Sequence, residues 1–128
     1  IVNQDPYDEG MRNILNFGHT VGHALEGFLN FKISHGVAVL YGMHVASYLS
    51  YEKKNITTKE YNRITSLIKK IGLKKIEKLD SNKILKLITL DKKNMGGKLN
   101  YILLKKIGSA YIEKNFNKEN IKNALKIL

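Results

Sequence analysis

The 128-residue chain contains no cysteine. That excludes a disulfide framework and any thiolate-held metal, and it fits a reducing cytoplasm, where the protein is expected. Arginine is scarce, with only Arg12 and Arg63 among 22 basic residues. No arginine-rich or aromatic-interleaved patch accompanies the net charge of +11, and the lysines between Lys53 and Lys126 fall mainly on faces that read as solvated. The charge therefore reads as a basic surface and not a nucleic-acid footprint, although its field suits an anionic small substrate. There is no signal peptide, internal repeat or low-complexity tract. The chain opens Ile1-Val2-Asn3-Gln4-Asp5-Pro6 without methionine, which reads as the interior of a longer protein. Charge is also missing from Gly36 to Tyr51. As a helix those residues span only about 24 Å, whereas a membrane crossing needs about 20 mostly apolar residues. With His44, Ser47 and Ser50 among them, they read as a buried central helix, and no membrane association is expected.

What is present is a long patterned stretch, Arg12-Asn13-Ile14-Leu15-Asn16-Phe17-Gly18-His19-Thr20-Val21-Gly22-His23-Ala24-Leu25-Glu26. Read as one helix from near Asp8 to Phe28, it places Arg12, Asn16, His19, His23 and Glu26 within an arc of roughly 80°. Ile14, Phe17, Val21, Leu25 and Phe28 form the opposite, core-facing stripe. Asp8 and Glu9 suit the positive end of the helix dipole. Gly18 and Gly22 each cost about 1 kcal/mol of helix propensity relative to alanine, which calls for a close backbone approach or ligand access.

The remaining elements follow from local signals. A second helix starts after Ser34. Thr57 and Glu60 form a capping box opening a third helix, with Tyr61, Ile64, Leu67, Ile68 and Ile71 at helical spacing and Gly72 as its C-terminal cap. A shorter helix over Ser81–Leu90 packs through Ile84, Leu87 and Ile88, and Asp91-Lys92-Lys93-Asn94-Met95-Gly96-Gly97 breaks it. Leu99–Leu104 and Ser109–Lys114 read as a small hairpin across Lys105-Lys106-Ile107-Gly108. A last helix from near Asn117 packs Ile121, Ala124, Leu125 and Leu128. The expected fold is a mostly α domain with one small β-hairpin and a modest core.

His19 and His23, one turn apart on one face, can share a metal or line one pocket. His35 can return to the same place after a short turn. Three imidazoles, or two with an outside carboxylate, suit zinc or a similar divalent ion with an open position. Glu26 is a ligand by type but lies nearly two turns beyond His19. His44 reads as a satisfied core histidine. Arg12 offers a fork for a carboxylate or phosphate, or else pairs with Asp8 or Glu9. Lys92 and Lys93 beside Gly96-Gly97 form either a phosphate contact or a solvated turn.

Arg12, Asn16, Gly18-His19-Thr20, Gly22-His23-Ala24 and Glu26, followed by His35-Gly36, Ala38-Val39 and Gly42-Met43, resemble the 3-dehydroquinate synthase family. Asp91-Lys92-Lys93, the glycine pair and Ile107-Gly108 also fall where that family has them, so the resemblance runs from about Asp5 to the C-terminus. It implies a two-domain α/β + α enzyme, of which residues 1–128 are the helical metal- and substrate-binding domain. The NAD-binding domain is absent, so no cofactor-binding residue is expected in this fragment. It implies His19 and His35 as metal ligands for zinc or cobalt, with a third ligand, a glutamate, from the other domain. His23 and Asn16 take catalytic roles, and Arg12, Asn16, His23, Lys92 and Lys93 bind the phosphorylated small-molecule substrate.

The implied reaction is an NAD- and metal-dependent lyase sequence of the shikimate pathway. A ring hydroxyl of 3-deoxy-D-arabino-heptulosonate 7-phosphate is transiently oxidised, phosphate is eliminated, the carbonyl is reduced back, and ring opening with aldol closure gives 3-dehydroquinate. The full-length enzyme is expected to be a homodimer, and the isolated fragment inactive. Val37 stands where the family has glutamate, and Pro6 and Tyr7 interrupt a usually charged run. Related sugar-phosphate cyclases such as 2-deoxy-scyllo-inosose synthase share the histidine pattern. A metal-dependent polyol dehydrogenase and a non-catalytic basic helical binding module are the other readings. Arg12, Asn16 and Asp91-Lys92-Lys93 favour a phosphorylated substrate over the dehydrogenase.

Overall fold

The computed structural model describes residues 17–94, 96, 101–114 and 117–128. Five helices and one hairpin follow in the order α1 (His19–Phe28), α2 (His35–Glu52), α3 (Thr58–Ile71), α4 (Ser81–Asn94), β1 (Tyr101–Lys106), β2 (Ser109–Glu113) and α5 (Lys118–Leu125). The architecture is the expected mostly helical domain with a small antiparallel hairpin.

α2 is the central element. It packs against α1, α3, α5 and β1, and its buried residues run round the helix: Ala38, Val39, Tyr41, Gly42, Val45, Ala46, Ser47, Leu49 and Ser50. That explains its lack of charge, because an unpaired charge has no place in such surroundings. Its two buried hydroxyls are satisfied. Ser47 Oγ donates to Met43 O at 2.8 Å, and Ser50 Oγ donates to Ala46 O at 2.8 Å while accepting from Leu104 N at 2.9 Å. Ser50 therefore ties α2 to β1. Val21, Leu25, Val45, Ile84, Ile88, Leu103 and Leu125 fill the core between α1, α2, α4, β1 and α5. No helix among the described residues is long and apolar enough to cross a membrane.

Local signals placed several ends. Ser34 Oγ caps α2 by accepting from Val37 N at 3.2 Å. Both halves of the capping box form at α3, with Glu60 N donating to Thr57 Oγ1 at 3.1 Å and Thr57 N to Glu60 Oε1 at 2.9 Å. Gly72 ends α3 at φ +90°. Asn117 Oδ1 caps α5. The hairpin pairs Ile102 with Ile112 and Leu103 with Tyr111 and turns at Ile107–Gly108.

Three expectations are corrected. The first helix does not run unbroken from Asp8. Phe17 and Gly18 form a turn, Gly18 is left-handed at φ +82°, and α1 starts at His19. α4 continues to Asn94, so Asp91-Lys92-Lys93 is its last turn and not a break. Lysines there complement the negative helix end, which offsets the weak propensity of Asp91 and Asn94. On α3 only the Ile68 seam is buried, and Leu67 and Ile71 are exposed, because α2 covers a narrower stripe than the spacing suggests.

Candidate functional site

Glycines bring the site together. A Cβ on Gly42 would lie 1.8 Å from Gly18 O and 3.0 Å from Gly22 N, and one on Gly22 would lie 3.2 Å from Ala38 O and Val39 Cα. α1 and α2 thus meet backbone to backbone, which answers the close-approach requirement of Gly18 and Gly22. The Gly18 turn fits against the same contact, since a Cβ there would meet Met43 N and Val39 O at 2.7 Å. Between the helices the chain reverses through Asn30 and Phe31, both left-handed at φ 52° and 60°. Phe31 N donates to Glu26 O at 2.8 Å. The reversal delivers His35, the first residue of α2, beside α1.

The three imidazoles form a near-equilateral group. Ring centroids are 5.7 Å apart for His19 and His23, 5.3 Å for His19 and His35, and 5.7 Å for His23 and His35. The group is open to solvent, with the His23 and His35 side chains 57% and 54% exposed. Two of the rings are oriented by acceptors. His19 Nδ1 donates to Phe17 O at 3.3 Å, and His35 Nδ1 donates to Glu26 Oε1 at 2.7 Å. Each bond leaves Nε2 with its lone pair available, the arrangement expected of metal-ligating histidines. The donor set therefore fits a borderline divalent ion such as zinc or cobalt. Among the described residues the three side chains whose donor atoms all lie close enough to share an ion, within 4.8 Å of one another, are His23, Glu26 and His35.

The other candidates are placed as follows. Arg12 and Asn16 lie outside the described residues. His19, His23 and Glu26 share one face of α1, which starts after the left-handed Gly18. Lys92 is half-buried and Lys93 exposed at the end of α4, the helix that packs against α1. Val37 packs its side chain against the core while its N–H serves the α2 cap. His44 lies on the far half of α2, hydrogen-bonded to Tyr61 through its Nε2 at 3.3 Å. Burial, and then Lys69, push its pKa below the ordinary 6.5. It is the satisfied histidine expected from the sequence. Sequence reasoning missed the bond from His35 to Glu26. The only signal for it was the three-residue spacing of His23 and Glu26, which puts the carboxylate on the histidine face.

The mostly helical fold is that of a part of solved sugar-phosphate cyclases. The fold matches 2-epi-5-epi-valiolone synthase from Streptomyces hygroscopicus, solved with NAD+ and Zn2+, at TM-score 0.86 and 20% identity, covering 98% of this chain and 35% of that one. It also matches 2-deoxy-scyllo-inosose synthase in complex with carbaglucose-6-phosphate, NAD+ and Co2+, at TM-score 0.81 and 26% identity, covering 96% of this chain and 36% of that one. Residues 1–94 match the family described as 3-dehydroquinate synthase C-terminal, and the chain belongs to that family. A 3-dehydroquinate synthase of Clostridium perfringens is 48% identical over 115 residues, covering 88% of this chain and 33% of the relative. One from Dehalococcoides mccartyi is 43% identical over 126 residues, covering 98% and 35%. The chain thus spans about a third of the length of these curated relatives.

Proposed function

We propose that residues 1–128 form the metal- and substrate-binding domain of a cytoplasmic 3-dehydroquinate synthase, converting 3-deoxy-D-arabino-heptulosonate 7-phosphate to 3-dehydroquinate and phosphate. The observation that carries this reading is the pair of oriented imidazoles. His19 and His35 both have Nδ1 engaged and Nε2 available, with ring centroids 5.3 Å apart. These two residues hold the divalent metal, zinc or cobalt, together with a glutamate of a second, NAD-binding domain outside this chain. When bound, the metal supplies Lewis-acid polarisation of the hydroxyl being oxidised, and NAD supplies the hydride acceptor.

This chain's own residues bind and orient the substrate. Arg12 takes the substrate carboxylate by a bidentate fork. Asn16 contacts hydroxyl and phosphate, and the Lys92–Lys93 pair supplies positive charge to the phosphate. His23 is more than half exposed at the edge of the imidazole group. It contacts the substrate near its phosphate and holds or releases a proton at a ring nitrogen as the leaving group departs. Because the cofactor site and one metal ligand lie elsewhere, the 128-residue chain alone turns nothing over. The whole enzyme is a homodimer in this reading.

The likeness to 2-deoxy-scyllo-inosose synthase supports a second reading, another sugar-phosphate cyclase. The names carried by relatives at 43–48% identity favour the first. The deciding measurement is phosphate release by the full-length protein given the heptulosonate phosphate, NAD and a divalent metal. Release that needs both cofactors and yields 3-dehydroquinate supports the proposal. No release from folded, metal-loaded protein refutes it and turns attention to Val37.

A further inference from the structure

We propose that Glu26 is a positioning residue. Its carboxylate fixes the tautomer and direction of the His35 ring, so that Nε2 and not Nδ1 faces the metal. The inference rests on the metal reading above and adds a residue to it. Glu26 lies one turn beyond His23 on α1, and its side chain is only 13% exposed, far less than either imidazole beside it. Its Oε1 accepts from His35 Nδ1 at 2.7 Å and lies 3.8 Å from His23 Nδ1. Its backbone carbonyl accepts from Phe31 N at 2.8 Å. One residue therefore holds the left-handed reversal after α1 and also catches the first side chain of α2 after that reversal. A carboxylate near the start of α2 is further favoured by the helix dipole.

His35 needs such a holder more than His19 does. His19 is fixed by a carbonyl two residues away on its own turn, whereas His35 is 54% exposed and sits at a helix end. An imidazole free to rotate and to exchange tautomers offers its metal-facing lone pair only part of the time. A hydrogen bond to the other nitrogen removes that loss, and such partners typically change metal affinity by about 10–100-fold. As a direct ligand Glu26 would have to give up the 2.7 Å bond to Nδ1. We therefore assign it the supporting role.

The test uses the full-length protein that contains this chain, with Glu26→Gln and Glu26→Ala. Long-range proton–nitrogen NMR of 15N-histidine-labelled, metal-free protein reads the His35 tautomer, and competition with a chromogenic chelator reads Zn2+ affinity. The unsubstituted protein should show His35 protonated at Nδ1. Glu26→Ala should lose that fixed tautomer and weaken Zn2+ binding about 10–100-fold. Glu26→Gln, whose carbonyl oxygen accepts the same bond at the same volume, should keep the tautomer and recover most of the affinity. The visible spectrum of the Co2+ form should stay the same in all three.

An unchanged tautomer and affinity in Glu26→Ala would overturn the proposal. So would loss of Zn2+ in Glu26→Gln together with an altered Co2+ spectrum, which would make Glu26 a ligand. Should Glu26→Ala fail to fold, Glu26→Leu, which fills more of the space but offers no acceptor, takes its place with the same expected losses and the same refuting result. Absence of Zn2+ binding in the unsubstituted protein would defeat the metal reading instead, and the tautomer would still decide whether Glu26 positions His35.

Discussion

Replacing Gly42 by alanine tests the packing that assembles the site. The added Cβ would lie 1.8 Å from Gly18 O, 2.8 Å from Gly18 C and 3.0 Å from Gly22 N, all of them backbone atoms of the facing segment. No side chain can swing aside to relieve this. Ordinary contact begins at 3.4 Å, so the oxygen and the Cβ must separate by 3.4 − 1.8 = 1.6 Å. A shift of that size in a close-packed interior forfeits much of the contact along the whole interface. Overpacking costs about 1–3 kcal/mol, and occasionally more. A rigid backbone obstacle puts Gly42→Ala at the top of that range, about 3 kcal/mol, or roughly a hundredfold in the folding equilibrium. Gly36→Ala on the same helix is the control, because a Cβ there meets nothing within 4 Å. It should be neutral or stabilise by up to about 1 kcal/mol through helix propensity. Urea unfolding followed by helical circular dichroism reads both. The displacement should also widen the 5.3 Å separation of the His19 and His35 rings. Equal stability of Gly42→Ala and the unsubstituted protein would refute the close-contact argument, as would a Gly36→Ala loss of similar size.

Three further expectations concern other parts of the fold. Thr57→Ala removes the Oγ1 acceptor of the α3 capping box and should cost about 1 kcal/mol, read as a lower urea midpoint; no change would mean that water replaces the cap. The Tyr101 hydroxyl is buried with no partner among the described residues, and burial raises its pKa. Tyr101→Phe should therefore be neutral or stabilise by about 1 kcal/mol, and a clear loss would reveal a partner for the hydroxyl. His44 has its pKa lowered below 6.5 by burial and by Lys69, so below pH 6.5 the unfolded chain binds a proton that the folded chain refuses. Stability gained from this group is complete above that pH and is lost as the pH falls through the window. His44→Phe should flatten the decline in urea midpoint between about pH 7 and about pH 5.5, and an unaltered slope would refute the assignment.

Elements marked by local chemistry were legible. Thr57 and Glu60 announced the α3 start, Gly72 its end, Ser34 the α2 start and Asn117 the α5 start, because capping involves residues only a few positions apart. The uncharged run of α2 declared its burial. The histidine group was legible in composition and spacing, and the structure brings His19, His23 and His35 together. The break at Gly18 was not legible, since a glycine in a helical pattern looks the same whether helical or left-handed. Nor was the exposure of Leu67 and Ile71, which depends on how much of α3 its neighbour covers.

By itself the sequence determined the elements, the core-facing residues and the kind of chemistry, because periodicity, caps and donor types act over one or two turns of chain. Tertiary structure alone decided that Gly42 meets Gly18, that the reversal at Asn30 and Phe31 returns His35 to α1, and that Glu26 serves His35 and not His19. Those contacts depend on the angle and separation of two packed helices. Both are set by where backbones can touch, a property of the facing pair that neither segment carries alone.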